Sequence, residues 1–296
     1  MLKNSVLLIA FNRPATTQQV LEALAIYQPP VLYVATDGAR KGNANDAIKC
    51  AAVHELVNNW QKNNPDVEVK TLYQPENLGC GLGVSTAINW FFSNEEMGII
   101  LEDDCLPNQS FFTFCNTLLH QYKDDDRIMH IAGSNFIEPE MKVNNESYYF
   151  SIYPHIWGWA SWRRAWSKYD FEMKKFEEFK QLPAFNKYYD QELFEKTKSH
   201  EIDTWDSQWA YTILMAKGVS VIPNYNFVKN LGFDENGGSH HNKTPNWYKG
   251  VVYEITEIKH PEEFILNTCN DDLVYEKVIK RGISHRLKRF LKKIFN

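Results

Sequence analysis

Three acids in a row, Glu102-Asp103-Asp104, follow the apolar run Gly98-Ile99-Ile100-Leu101. Adjacent carboxylates repel one another unless donors or a cation relieve them, and hard divalent ions favour such oxygen ligands. One carboxylate together with the oxygens of a diphosphate completes an octahedral Mn²⁺ or Mg²⁺ shell. The bland alternative is a solvated acidic turn such as Asp124-Asp125-Asp126, which lies among polar residues, whereas 102–104 ends an apolar strand. A second carboxylate with chemical promise is Asp206, set between two tryptophans in Trp205-Asp206-Ser207-Gln208-Trp209. Exclusion of water there suits a general base. Its rivals are an exposed helical aspartate or a helix cap, and Asp203 is the second candidate.

Other residues admit two readings each. Asp37 in Thr36-Asp37-Gly38 closes a strand, where it would meet a ligand or simply form an Asp-Gly turn. Asn12 and Arg13 follow the first strand; Arg13 is a ligand contact or a charge flanking a helix. The run from Asn77 through Gly79 to Gly83 is glycine-rich and opens a helix, so its backbone would approach a phosphate or a sugar. It lacks the Walker lysine and the GxGxxG order, and a flexible turn is the other reading. His240, after Gly237-Gly238-Ser239 and beside His241, is a metal ligand or a surface residue. Trp157, Trp159, Trp162 and Trp166 fill a core or stack on a sugar, and Arg163-Arg164 meets a phosphate or forms surface ion pairs.

Strand and helix patterns alternate through the first hundred residues and position these groups. Strands are expected at 5–11, 31–36, 67–73 and 97–101, with helices at 16–26, 43–63 and 81–92. That alternation specifies an α/β fold with a mostly parallel sheet flanked by helices. Ligands bind such sheets outside the carboxyl ends of the strands, where Asn12-Arg13, Asp37 and the acid triplet fall. Beyond residue 136 the segments become aromatic-rich, with a helix around 203–217 and a strand around 226–229. With no linker composition between the halves, the chain reads as a single large domain, 1–278, with lobes 1–136 and 137–278.

The chain has 296 residues, 44% of them hydrophobic, enough for a sizeable core and too many for disorder. Its 32 basic against 37 acidic residues leave a charge of −5, which argues against nucleic acid as partner. Five scattered cysteines without a CxxC pair indicate neither a disulfide framework nor a thiolate zinc site, and fit a reducing, cytoplasmic compartment. The first apolar run stops at Asn12-Arg13-Pro14, too short for a signal sequence, and no stretch is long enough to span a bilayer. The end of the chain differs. Residues 280–296 hold seven Lys/Arg and no acidic side chain, with Ile283, Leu287, Phe290, Leu291 and Ile294 on one helical face. Residues 279–296 therefore read as a basic amphipathic tail that lies peripherally on an anionic membrane surface, the alternative being a terminal helix packed on the domain.

Taken with Ile99-Ile100-Leu101-Glu102-Asp103-Asp104, the segments Ala10-Phe11-Asn12-Arg13-Pro14, Thr36-Asp37-Gly38, Asn77-Leu78-Gly79, WGWASWRRAW, WDSQW and Asn230-Leu231-Gly232-Phe233 resemble those of GT-A-fold, nucleotide-sugar-dependent glycosyltransferases. The acid triplet is similar to that of the N-acetylglucosaminyltransferase of N-glycan branching, and the last three segments to bacterial polysaccharide transferases. The resemblance runs over roughly residues 4–245. It implies a Rossmann-like GT-A domain in which Asn12, Arg13, Asp37, Asn77, Gly79, Glu102 and Asp103 face the nucleotide-sugar. It further implies that Asp104, with His240, holds Mn²⁺ or Mg²⁺ and that Asp206 is the base of an inverting transfer. The donor so implied is a UDP-sugar and the acceptor a hydroxyl of a bacterial surface glycan, free or lipid-linked, which makes the enzyme a hexosyl- or N-acetylhexosaminyltransferase. A sugar-nucleotide nucleotidyltransferase is disfavoured because it wants a basic, glycine-rich loop near the N-terminus and the segment 10–19 has only Arg13. A non-catalytic glycan-binding protein is disfavoured because the triplet and Asp206 are both present.

Overall fold

A computed structural model describes residues 2–138, 145–233 and 248–280. Chain order begins β1 (Val6–Ala10), α1 (Pro14–Tyr27), β2 (Val31–Thr36), α2 (Ala44–Asn63), β3 (Glu68–Tyr73), α3 (Gly79–Asn94), β4 (Met97–Glu102), β5 (Cys105–Pro107) and α4 (Gln109–Gln121). It continues with β6 (Ile128–Ala132), β7 (Tyr148–Ser151), β8 (Trp159–Trp162) and the short helices α5 (Arg163–Trp166), α6 (Phe176–Phe179), α7 (Pro183–Tyr188) and α8 (Gln191–Lys198). Last come α9 (Asp206–Met215), β9 (Val219–Pro223), β10 (Val228–Asn230) and α10 (Thr268–Val274).

Eight strands form one sheet in the order β3-β2-β1-β4-β8-β6-β9-β7. The first four run parallel, β6 and β9 are also parallel to each other, and β8 and β7 run against their neighbours. The expected mostly parallel α/β sheet is therefore present, and strands from before and after residue 136 interleave within it. Every residue of β1 is buried, which is why its sequence, Val-Leu-Leu-Ile-Ala, shows no polar alternation. The alternation is instead one of destination. Val6 and Leu8 pack toward α1, α2 and α4, while Leu7 and Ile9 pack toward α3 and the tryptophans.

Helix starts follow local chemistry. Pro14 opens α1, Asn43 caps α2 by accepting from the Asp46 N–H (3.2 Å), and Asn108 caps α4 by accepting from the Phe111 N–H (3.0 Å). The aromatic segment expected at 155–166 supplies β8, an antiparallel strand lodged between β4 and β6, and thereby joins the halves. Sequence reading gave no sign of β5. It exists through antiparallel pairing with β10, which aligns Cys105 with Asn230 in a second, two-stranded sheet. Among the described residues no helix is long and apolar enough to cross a membrane. The amphipathic face expected at 283–294 lies outside the described residues.

Candidate active site

β4 lies beside β1 with Glu102 opposite Ile9, so the acid triplet emerges next to the turn carrying Asn12 and Arg13. Asp103 is only 1% exposed; its carboxylate accepts the Phe11 N–H (3.1 Å) and the Arg13 Nη2. Arg13 Nη1 donates to Asp104 Oδ2 at 2.7 Å, so one guanidinium spans both aspartates. From the other side the backbone of Leu231 donates to the Asp104 carbonyl (2.7 Å). A Cβ on Gly232 would meet Asp104 Oδ2 at 2.7 Å and Asn230 Oδ1 at 2.9 Å, so the Asn230-Leu231-Gly232-Phe233 segment needs glycine to come this close.

The site is short of positive charge. Burial, then the charge of Asp104, raises the half-buried Glu102 well above the usual carboxylate range, to about 8, with Arg13 opposing and Asp103 and Asp206 adding. Burial disfavours the charge on Arg13, yet Asp103 and Asp104 outweigh it and its pKa is raised. Burial, followed by Glu102, Asp206 and Asp203, pushes the Cys80 thiol up to about 12, so it stays protonated and is no nucleophile. These influences place Asp206, which comes from the other half of the chain, in the same electrostatic neighbourhood as the triplet.

Asp206 is the first residue of α9. Its Oδ1 accepts from the Thr204 hydroxyl and the Ser207 N–H (2.8 Å). Behind it Trp205 stacks on Trp159 with centroids 5.6 Å apart, and Trp166 and Trp209 complete a buried aromatic cluster. Trp159, Trp162 and Trp166 are thus core; Trp157, half-buried, meets Phe233 and Tyr248 edge-on. Arg164 donates to the carbonyls of Lys123, Ile128 and Tyr122, and Arg163 to that of Phe92, which assigns both to holding loops together.

Several residues expected at the nucleotide-sugar also carry structural contacts. The Asp37 carboxylate takes four donors: the N–H groups of Gly38, Leu78 and Gly79 (2.8–3.0 Å) and the Asn77 side chain (2.8 Å). That fills the acceptor capacity of a carboxylate. Asn77 and Gly79 are the partners in this clamp. Asp203 then accepts from Cys80 (2.7 Å) and Gly81 (2.8 Å), so four successive N–H groups at the start of α3 are taken by two carboxylates. Asp203 thus acts as a cap on the start of α3. Asn12 donates to Asp46 (2.7 Å), which is 1% exposed and also bound by Arg40. Asp103 is buried and engaged by both Phe11 and Arg13. Sequence reading missed Asp46 and Arg40, although the Asn43-Ala44-Asn45-Asp46 spacing is that of a capping signal. His240 and its neighbour His241 lie outside the described residues.

Among the described residues no three His, Cys, Asp or Glu side chains converge as a ready-made metal cage. Asp104, 15% exposed, and Glu102 offer hard oxygens in a locality with more acids than bases. That donor set fits a divalent ion sharing its shell with a diphosphate and does not fit a cation held by the protein alone.

No family model and no curated protein matches the sequence. Among solved structures, a mannosyltransferase from Pyrobaculum calidifontis in complex with GDP-Man and Mn²⁺ aligns with a TM-score of 0.45 and 15% identity over 75% of this chain. The chain spans 55% of the length of that transferase. A UDP-glucose pyrophosphorylase complexed with UDP-glucose aligns with a TM-score of 0.41 and 10% identity over 79% of this chain and 95% of its own. At this level of similarity the neighbours identify no donor, metal or reaction for this chain.

Proposed function

We propose that the protein is a metal-dependent, inverting glycosyltransferase that moves a hexosyl or N-acetylhexosaminyl group from a UDP-sugar to a hydroxyl of a bacterial surface glycan. The observation carrying this reading is that the acid triplet at the end of β4 and Asp206 at the start of α9, from the two halves of the chain, lie near enough for the charge of Asp206 to act on Glu102. Asp206 stands against the acceptor and takes its hydroxyl proton on the oxygen not bound by Ser207. The buried tryptophans behind it hold α9 rigid, and Asp203 ties the approach to α9 onto α3, which fixes the base relative to the strand ends. Asp104 and Glu102 would hold Mn²⁺ or Mg²⁺, which when bound stabilises negative charge on a departing diphosphate. Residues 1–278 form the transferase domain in this reading, with the basic tail from 279 resting on the cytoplasmic face of an anionic membrane, close to lipid-linked acceptors.

Thermal unfolding with UDP-, GDP-, CMP- and dTDP-sugars, with and without Mn²⁺, tests the donor. At a hundredfold excess over Kd, ligand binding adds about 2.7 kcal/mol, or roughly 5 °C for a chain of this size. That rise is expected with a UDP-sugar plus Mn²⁺ and not with the sugar nucleotide alone. Absence of a response to every nucleotide would favour a non-catalytic glycan-binding protein. For the tail, the full chain is expected to float with liposomes containing anionic lipid and a chain ending at Val278 to remain behind. Equal flotation of the two removes the anchor.

A further inference from the structure

We propose that Arg13 is the resident counter-cation of the acid site, and that a divalent ion must displace its guanidinium from Asp104 in order to bind. The proposal rests on the reading of Asp104 as a cation ligand, and is independent of the transfer reaction. Its basis is the bridge from one guanidinium to Asp103 and Asp104, which occupies the position from which a cation would relieve the same repulsion.

The bridge is built to open at one end. The Arg13 backbone is fixed: its carbonyl accepts from the Thr17 N–H (3.0 Å) and from the hydroxyls of Thr16 (3.2 Å) and Thr17 (2.8 Å) at the start of α1. Its side chain is 24% exposed and Asp104 is 15% exposed, whereas Asp103 is 1% exposed. The Asp104 end of the bridge is therefore the more exposed one, from which the guanidinium can turn toward solvent. Asp103 keeps the Phe11 N–H throughout. A diphosphate offers the freed guanidinium a two-pronged acceptor of equal geometry, so cation and nucleotide each ease the entry of the other. A metal alone has to expel Arg13 without that compensation.

Binding of Mn²⁺ alone to the full chain, followed by the EPR signal of free Mn²⁺, tests this. Arg13→Gln is expected to bind Mn²⁺ at least about tenfold more tightly than wild type, because a positive charge a few ångströms from the ion has gone. Addition of UDP is expected to tighten Mn²⁺ binding to wild type strongly and to Arg13→Gln much less. Arg13→Lys should fall between, since an ammonium is a point charge that cannot span two carboxylates; it carries the test if circular dichroism shows Arg13→Gln misfolded. The gain should vanish in Arg13→Gln/Asp104→Asn. Equal or weaker Mn²⁺ binding by the folded Arg13 variants overturns the proposal, as does a gain that survives loss of Asp104. If wild type takes up Mn²⁺ with UDP while the variants gain nothing without it, Arg13 is not the gate and the acid site still binds a cation. Failure of every form to bind Mn²⁺, with or without UDP, overturns the cation reading as well.

Discussion

Replacement of Asp206 by Asn is expected to lower kcat for sugar transfer by about 10²–10⁴-fold, the usual worth of a positioned general base, with donor KM nearly unchanged. The substitution isolates proton transfer from architecture. An Asn side chain keeps an oxygen where Oδ1 accepts from Ser207 and Thr204, so the first turn of α9 and the stacked Trp205 and Trp159 retain their support. What it loses is the ability to accept a proton. Asp203→Asn provides the contrast. Its side chain still offers an oxygen to an N–H at the start of α3, so it should cost about 1 kcal/mol of stability and little of the chemical step. A transfer rate within tenfold of wild type in Asp206→Asn would show that the base lies elsewhere.

The second large effect is on stability in acid. His130 and His155 are buried and uncharged, held by burial at about 3 and about 4 respectively, against hydrogen bonds that work the other way. Their contacts specify neutral rings. His130 accepts the Trp209 indole N–H at Nδ1 (3.2 Å), which leaves Nε2–H to donate to the His155 carbonyl (3.0 Å). His155 donates from Nδ1 to the Ser134 carbonyl (3.0 Å) and stacks on Phe136 with centroids 4.0 Å apart. Both folded values lie below the unfolded one of about 6.5, so as pH falls the unfolded chain binds protons that the native state refuses. Their contribution is constant above about pH 6.5 and is lost as the pH drops toward 4. At pH 5 the loss is about 2 kcal/mol for each ring.

Two carboxyls, the buried Asp271 and the half-buried Glu102, oppose this. Burial raises Asp271 to about 6 despite the Ser151 hydroxyl bonded to it, and raises Glu102 to about 8. Each is protonated in the native state before it is in the unfolded chain, so each adds stability as pH falls through its folded value. A Glu102→Gln/Asp271→Asn chain removes that opposition. Its unfolding free energy in urea is expected to fall by about 4 kcal/mol between pH 7.5 and 5, more steeply than that of wild type. Nitrogen chemical shifts at pH 5 should report two neutral imidazoles; charged rings at that pH, or a flat stability profile in the double variant, would remove the explanation.

Much of the candidate site is legible in sequence because it sits at strand ends, and strand ends are visible as apolar runs that stop at polar residues. Gly98-Ile99-Ile100-Leu101 followed by three acids announces both β4 and the place where its carboxyl end opens. The buried parallel strands and the helices between them follow from the same patterning, since each apolar face has to find a partner layer. The Trp205 and Trp209 pair likewise marks a buried helix start, and with it the position of Asp206.

Which carboxylates are free to act is a different matter, and local patterning carries no trace of it. Asp37, Asp103 and Asp203 look as available as Asp104 and Asp206 when read along the chain. Asp37 is engaged by a loop forty residues away, Asp103 is buried with the Phe11 N–H on it as well as Arg13, and Asp203 accepts N–H groups more than a hundred residues upstream. The strand β5 exists only because β10 pairs with it, and the approach of Gly232 to Asp104 depends on that pairing. Sequence by itself determined the layers, the strand ends and the residue types gathered there, because burial of apolar surface depends on local periodicity. The tertiary structure alone decided which of those acids remain unspent, because the donors that satisfy a carboxylate are set by the approach of distant segments.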